Sequence, residues 1–215
     1  MKKIAMILAG CGHQDGSEIR ESVLTLLELD KHNVKVTIFA PNVKQYDVIN
    51  HLDGSVMNES RNLLVEAARI ARGEISALDK LKSKDFNALI IPGGYGVAKN
   101  LADIAQKGEK GEAIPEVKNI INDFIRDKKP IGAICIAPAV VAQAVKDSYK
   151  VKLTLGEENN LLTAFSAEQE VCPTESCVYD EKNKIVSTPA YMRNERISRV
   201  ARGIEQLVKK VVEIC

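Results

Sequence analysis

Three things are scarce in this 215-residue chain: excess charge of one sign, long apolar runs and an ordered set of cysteines. Thirty Lys and Arg stand against 29 Asp and Glu, a formal net charge of +1. That balance leaves no basic surface to draw the protein onto nucleic acid or an anionic membrane. No segment approaches the ~18 apolar residues that span a bilayer. The start, Met1 to Gly10, has an apolar run of only about seven residues and no small-residue cleavage pattern. It reads as a first buried strand, not as a signal peptide. The five cysteines, at 11, 135, 172, 177 and 215, are odd in number and irregular in spacing. This argues against a secreted disulfide framework and predicts a reducing, cytoplasmic location. Cys172 and Cys177 are wrongly spaced for a zinc pair and no second pair follows, so no metal is expected.

What is present is an alternation of short β-branched runs with helical patterns. Lys3 to Ala9 reads as a strand and Ser17 to Lys31 as a helix, with Ile19, Val23 and Leu27 repeating at i, i+4 and i+8 as its apolar stripe. Asp15 and Ser17 are its candidate caps. Strands follow at 34–40, 88–91, 131–134 and 151–155, with a hairpin of 177–180 against 184–188. Helices are expected at 59–72, 96–101, 115–127, 138–146 and 195–212, the one at Pro115 having its proline near the start. The stretch 105–112 reads as a polar loop. Strands alternating with helices of this length predict an α/β fold, a mainly parallel sheet with helices on both faces, with ligands beyond the carboxyl ends of the strands. Residues 1–215 show no linker, repeat or low-complexity tract and are expected to form one domain.

The sharpest chemical signal is Pro130-Ile131-Gly132-Ala133-Ile134-Cys135-Ile136-Ala137-Pro138. A buried strand ends, one residue takes the corner and a helix begins. This is a nucleophile-elbow pattern with Cys in place of Ser, and small residues two positions either side, Ala133 and Ala137, let the backbones close up. A thiol at a helix N-terminus is also biased toward thiolate. The plainer reading is a core cysteine at a strand end. Gly93-Gly94, after the strand at 88–91, can turn backbone N–H groups toward an anion, or can be simply a strand-to-helix turn. Gly10-Cys11-Gly12-His13-Gln14-Asp15-Gly16 misses a dinucleotide fingerprint, because its third glycine comes one residue late and no acidic residue ends the second strand. Glu18 either completes a capping box with Asp15 or, protonated beside Cys135, donates a hydrogen bond to the thiolate.

Together these features resemble the class I glutamine amidotransferase-like (PfpI) superfamily, and within it the enhancing-lycopene-biosynthesis, or glyoxalase ElbB, family. The matching segments include Gly10-Cys11-Gly12 with Asp15-Gly16-Ser17-Glu18-Ile19, Val48-Ile49-Asn50-His51-Leu52 and Arg61-Asn62. They continue through Glu66-Ala67-Ala68-Arg69-Ile70, Ile91-Pro92-Gly93-Gly94, Cys135-Ile136-Ala137-Pro138-Ala139 and Thr188-Pro189-Ala190-Tyr191-Met192, and so run through nearly the whole chain. The resemblance implies a flavodoxin-like three-layer sandwich, a homodimer and no cofactor. It puts Cys135 at the nucleophile position, Glu18 as its carboxylate partner, Gly93, Gly94 and Ile136 at the oxyanion turn, and Cys11, His13 and Thr188 around the pocket. The implied activity is conversion of a small aldehyde or ketoaldehyde, such as glyoxal or methylglyoxal, to a hydroxy acid, with glycation repair as an overlapping chemistry and a link to isoprenoid biosynthesis.

One departure from the superfamily pattern carries weight. Its proteases and amidotransferases place a histidine after the nucleophile, whereas the three histidines here are 13, 32 and 51. A Cys-His-acid triad in that order is excluded, and with it glutaminase or protease activity. His13 folds over the site or lies in solvent. Two functions of different class remain: a weak glyoxalase working through Cys135 and Glu18, or a non-catalytic thiol sensor or metabolite- or partner-binding protein using the same pocket.

Overall fold

A computed structural model describes residues 1–215. The elements in chain order are β1 (Lys3–Ile7), α1 (Ile19–Lys31), β2 (Lys35–Ala40), α2 (Leu63–Ile70), β3 (Ile75–Ala77), β4 (Ala88–Ile91), α3 (Ile104–Lys107), α4 (Pro115–Arg126), β5 (Ile131–Ile134), α5 (Ala137–Val145), β6 (Lys152–Leu153), α6 (Asn160–Ala164), β7 (Glu168–Gln169), β8 (Val178–Asp180), β9 (Ile185–Thr188) and α7 (Ile197–Glu213). The main sheet has seven strands in the order β3-β2-β1-β4-β5-β9-β8. All neighbours run parallel except the edge strand β8, which is antiparallel to β9. The expected α/β architecture, a flavodoxin-like sandwich, is therefore borne out.

Central strands β4 and β5 are buried at every position. This explains why their sequences, Ala-Leu-Ile-Ile and Ile-Gly-Ala-Ile, are continuous apolar runs instead of alternating ones. Helices α4 and α5 pack together on one face of the sheet, where Phe124, Ile121, Val140 and Val141 join a core of 33 buried residues. On the other face α1 packs along α7 and touches α2. There α7 supplies Val200, Ile204, Leu207, Val208 and Val211 to a second core with Ile4, Ile90 and Val186. Fully burying each such side chain stabilises the fold by about 1.5–3 kcal/mol.

Five expectations need correction. The stripe Ile19, Val23 and Leu27 of α1 is not buried but stands 45%, 51% and 47% exposed, while Glu21, Ser22, Thr25, Glu28 and Leu29 face inward. Neither Asp15 nor Ser17 caps this helix. Glu18 is the N-cap, accepting the Glu21 N–H at 2.6 Å. Ser17 instead accepts the Ala9 N–H, and buried Asp15 accepts that of Ile49. The helix expected over 59–72 is confined to Leu63–Ile70, because Asn62 caps it by accepting the Val65 N–H. The strand expected over 151–155 is the two-residue β6, paired with β7 in a separate small sheet. The polar loop at 105–112 holds one turn of α3 followed by a 3-10 turn, Gly108–Lys110.

Candidate active site

The turns after β1, β4 and β5 all open at the carboxyl edge of the sheet, where β1 and β4 part toward opposite sides of the strand order. Three segments converge there: the start of α1, Gly93-Gly94 and Cys135. Cys135 has φ of 60°, in the left-handed region that a branched or bulky residue avoids. Its N–H is tied to the Thr188 carbonyl at 3.0 Å, and α5 begins two residues later. The sharp corner inferred from the sequence is therefore present. Its strain is held by the parallel pairing of β5 with β9, and such strain commonly marks a functional position.

The carboxyl group facing this thiol belongs to Glu21, one helical turn beyond Glu18. Glu21 is fully buried and hydrogen-bonded to the Cys135 thiol. One of its oxygens accepts the Gly93 N–H at 2.9 Å and the other the Tyr191 N–H at 3.1 Å. The capping bond made by Glu18 sets the first turn of α1 and so aims Glu21 inward. Burial, and then the charge of Glu18, push the Glu21 carboxyl up to about 8, against the opposing pull of its N–H and thiol partners. It therefore holds its proton at neutral pH.

Burial also drives the Cys135 thiol well above its ordinary value, with the Glu21 carboxylate adding to the rise. Hydrogen bonds from the Gly94 and Ile136 N–H groups act the other way. The expected thiolate bias at the helix start is thus outweighed, chiefly by burial. Protonating Glu21 removes the repulsion and turns its O–H into a donor toward sulfur. The two groups titrate as a pair.

The glycine turn divides its labour. A side chain on Gly93 would bring its Cβ within 2.3 Å of the Cys135 Cβ and 2.6 Å of a Glu21 oxygen, so only glycine fits between thiol and acid. Its N–H is already committed to Glu21, which leaves Gly94 and Ile136 as the donors that converge on the sulfur. Gly94 has φ of 104° and packs directly on the Gly16 carbonyl and the Glu18 N–H.

The remaining candidate residues sit elsewhere. Thr188 is fully buried and offers Cys135 only its backbone carbonyl, while its hydroxyl donates to the Ser176 carbonyl at 2.7 Å. Cys11 is half-buried beside a different set of charges, Arg69, Glu66 and Asp15. His13 is exposed, its ring edge-on to that of His51 at 5.0 Å, and its carbonyl accepts the Tyr95 N–H. His51 Nδ1 lies 3.0 Å from the Ile49 carbonyl and its Nε2 accepts the Gln14 N–H, so it too serves the loop. No histidine is hydrogen-bonded to Cys135 or Glu21.

Sequence reasoning missed Glu21 and Tyr191. A signal for Glu21 was present, since Glu21, Ser22, Thr25, Glu28 and Leu29 also repeat along one face of α1. That pattern competes with the stripe Ile19, Val23 and Leu27, and an apolar stripe is ordinarily the face turned inward.

The model of the DJ-1/PfpI family matches residues 2–154. The chain is 39% identical over 225 residues to the ES1 protein homolog, mitochondrial, of Rattus norvegicus, covering 99% of this chain and 84% of that protein. It is 37% identical to the glutamine amidotransferase-like class 1 domain-containing protein 3, mitochondrial, of Homo sapiens, covering 99% and 83%. A crystal structure of an isoprenoid biosynthesis protein with an amidotransferase-like domain from Ehrlichia chaffeensis superposes with a TM-score of 0.96 at 46% identity, covering 100% of this chain and 99% of that one. The cytoplasmic location expected from cysteine usage is overturned by these relatives, since the rat and human proteins bear mitochondrial names. Free thiols alone do not fix the compartment. The family match spans well over half the chain, and the α/β sheet is the fold of the structure matched at 46% identity: the chain belongs to the DJ-1/PfpI family.

Proposed function

We propose that the protein is a cofactor-independent glyoxalase that converts a small ketoaldehyde to a hydroxy acid on Cys135, with Glu21 in the role that the sequence had suggested for Glu18. The observation that carries this reading is a buried carboxyl raised to about 8 and hydrogen-bonded to a thiol on a strained corner. A general acid–base group works best when its pKa lies near the working pH. In the fraction of the protein whose Glu21 is ionised, the Cys135 sulfur bonds to the aldehyde carbon as its proton passes to the Glu21 carboxylate, and the new oxyanion, held by the Gly94 and Ile136 N–H groups, takes that proton back and leaves Glu21 ionised. Glu21 then carries the C1 proton to C2 through an enediol. C1 is oxidised and C2 reduced by the same two electrons, so no external oxidant is needed. The resulting thioester on Cys135 is hydrolysed by water, releasing the hydroxy acid and restoring the thiol. We further propose that the activity serves isoprenoid metabolism, following the description of the Ehrlichia chaffeensis relative.

The test is conversion of glyoxal and methylglyoxal by the wild type, Cys135→Ala, Glu21→Gln and Glu18→Gln. We expect turnover in the wild type, none with Cys135→Ala, and a loss of about 10²–10⁴-fold with Glu21→Gln. Glu18→Gln should keep most of the activity, because its carbonyl oxygen can still cap α1. A wild type without turnover, although its thiol alkylates, would turn the assignment toward a thiol sensor.

A further inference from the structure

Just past the end of β9 stands a second residue with the backbone habit of Cys135. Ala190 is fully buried and has φ of 44°, in the left-handed region that a residue with a β-carbon enters only at a cost. It lies between two bonds to the site. Thr188 gives its carbonyl to the Cys135 N–H at 3.0 Å, and Tyr191 gives its N–H to a Glu21 oxygen at 3.1 Å. An extended residue at 190 would continue the line of β9 and carry the next N–H past the acid. The turn over Ala190–Met192, closed by the Met192 N–H on the Pro189 carbonyl at 3.0 Å, brings it back instead. This turn is held from both sides. Ala190 belongs to the core of Val186, Val200 and Ile204, and Pro189 packs so closely on Gly156 that a side chain there would meet it at 2.9 Å.

We propose that Tyr191 is a positioning residue whose backbone N–H, aimed by the left-handed turn at Ala190, holds the Glu21 carboxyl against the Cys135 thiol, while its side chain is dispensable for that task. The phenol is half-buried and accepts from Arg20 at 3.4 Å, a contact outside the thiol–acid pair. The groups that face Glu21 are Glu18 of its own helix, the Cys135 thiol, and the N–H groups of Gly93 and Tyr191. Burial and the Glu18 charge raise the carboxyl, and the two N–H groups and the thiol pull it down. Losing the Tyr191 N–H therefore makes Glu21 hold its proton to higher pH. The inference rests on the Cys135–Glu21 pair of the proposed reaction. Alkylation of the thiol, read without any aldehyde, separates its failure from that of the glyoxalase assignment.

The test is the rate of Cys135 alkylation by iodoacetamide against pH in the full chain, followed by peptide mass spectrometry because four other thiols are present. The lower step of that profile belongs to the thiol–acid pair. An ester in place of the Tyr191 amide, made with the α-hydroxy analogue of tyrosine, deletes the N–H. It should move the step up by about one pH unit, the scale of one hydrogen bond to a charged group. Tyr191→Phe keeps the N–H and Ala190→Gly keeps the left-handed turn, so both should leave the step in place. Ala190→Val resists that turn and should move the step upward. Val200→Ala opens a cavity in the same core and should lower the melting temperature without moving the step. An ester that leaves the step unmoved, or Tyr191→Phe that shifts it as far as the ester does, overturns the proposal. Should Ala190→Val fail to fold, the glycine variant decides the role of the turn, because a step shifted by Ala190→Gly overturns it.

Discussion

Helices α1 and α7 lie side by side on the same face of the sheet, and they spend their amphipathic character in opposite ways. In α7 the apolar residues Val200, Ile204, Leu207, Val208 and Val211 all turn inward and are fully buried. In α1 the inward face is Glu21, Ser22, Thr25 and Glu28, with Leu29 as its one large apolar member, and the apolar stripe faces out. Thr25 satisfies its buried hydroxyl by donating to the Glu21 carbonyl, and Ser22 does the same to that of Glu18. The difference teaches that α7 holds the fold while α1 holds the site. A helix that must deliver a buried carboxyl to a thiol gives up burial that would otherwise stabilise it.

The comparison can be broken at several points. The largest expected effect is on the side of α7: Leu207→Ala should lower unfolding stability by about 2–5 kcal/mol in denaturant titration, since the side chain is fully buried and its neighbours cannot fill the space. On the side of α1 the corresponding large effect depends on pH. Glu21 has an ordinary value of 4.5 and a folded-state value of about 8. Between those values the folded state binds a proton that the unfolded state has released, so stability is full below pH 4.5 and falls as pH rises toward 8. Glu21→Gln cannot titrate, and its melting temperature should decline less than that of the wild type across this window. Equal slopes for the two proteins would show that Glu21 is not the buried acid described.

A smaller effect should follow from Glu18→Ala, which removes the N-cap of α1 and should cost about 1 kcal/mol. It should also lower turnover by loosening the turn that aims Glu21. The smallest effect is predicted for Val23→Ser. The Val23 side chain is half exposed, so in denaturant titration the change should cost less than about 0.5 kcal/mol. A cost of about 2 kcal/mol or more, the scale of a buried position (about 2–5 kcal/mol), would mean that Val23 packs against its own chain.

Much of the fold was legible because it rests on local patterns. The apolar runs at β4 and β5, the proline opening α4 and the small residues around Cys135 each act within a few positions of the chain. The site was half legible for the same reason. The corner at Cys135 and the glycines at 93 and 94 are dictated by neighbouring residues, whereas the identity of the acid is not. Glu18 and Glu21 are both carboxylates at the start of one helix, the first its N-cap and the second in its first turn, and which of them meets the thiol depends on how α1 is set against β4 and β5. The short strand β3 was missed because its pairing with β2 comes from the sheet, not from its own three residues.

The sequence by itself therefore determined the alternation of strands and helices, the cysteine at a sharp turn and the exclusion of a downstream histidine, since these follow from residue type and short spacing. Only the tertiary structure decided that Glu21 is the partner acid, that Gly94 and Ile136 supply the converging N–H groups, and that the apolar stripe of α1 looks outward. Those outcomes depend on groups tens of residues apart in the chain, Glu21 with Gly93, Cys135 and Tyr191, whose burial together outweighs the preference of a lone helix for turning its apolar face inward.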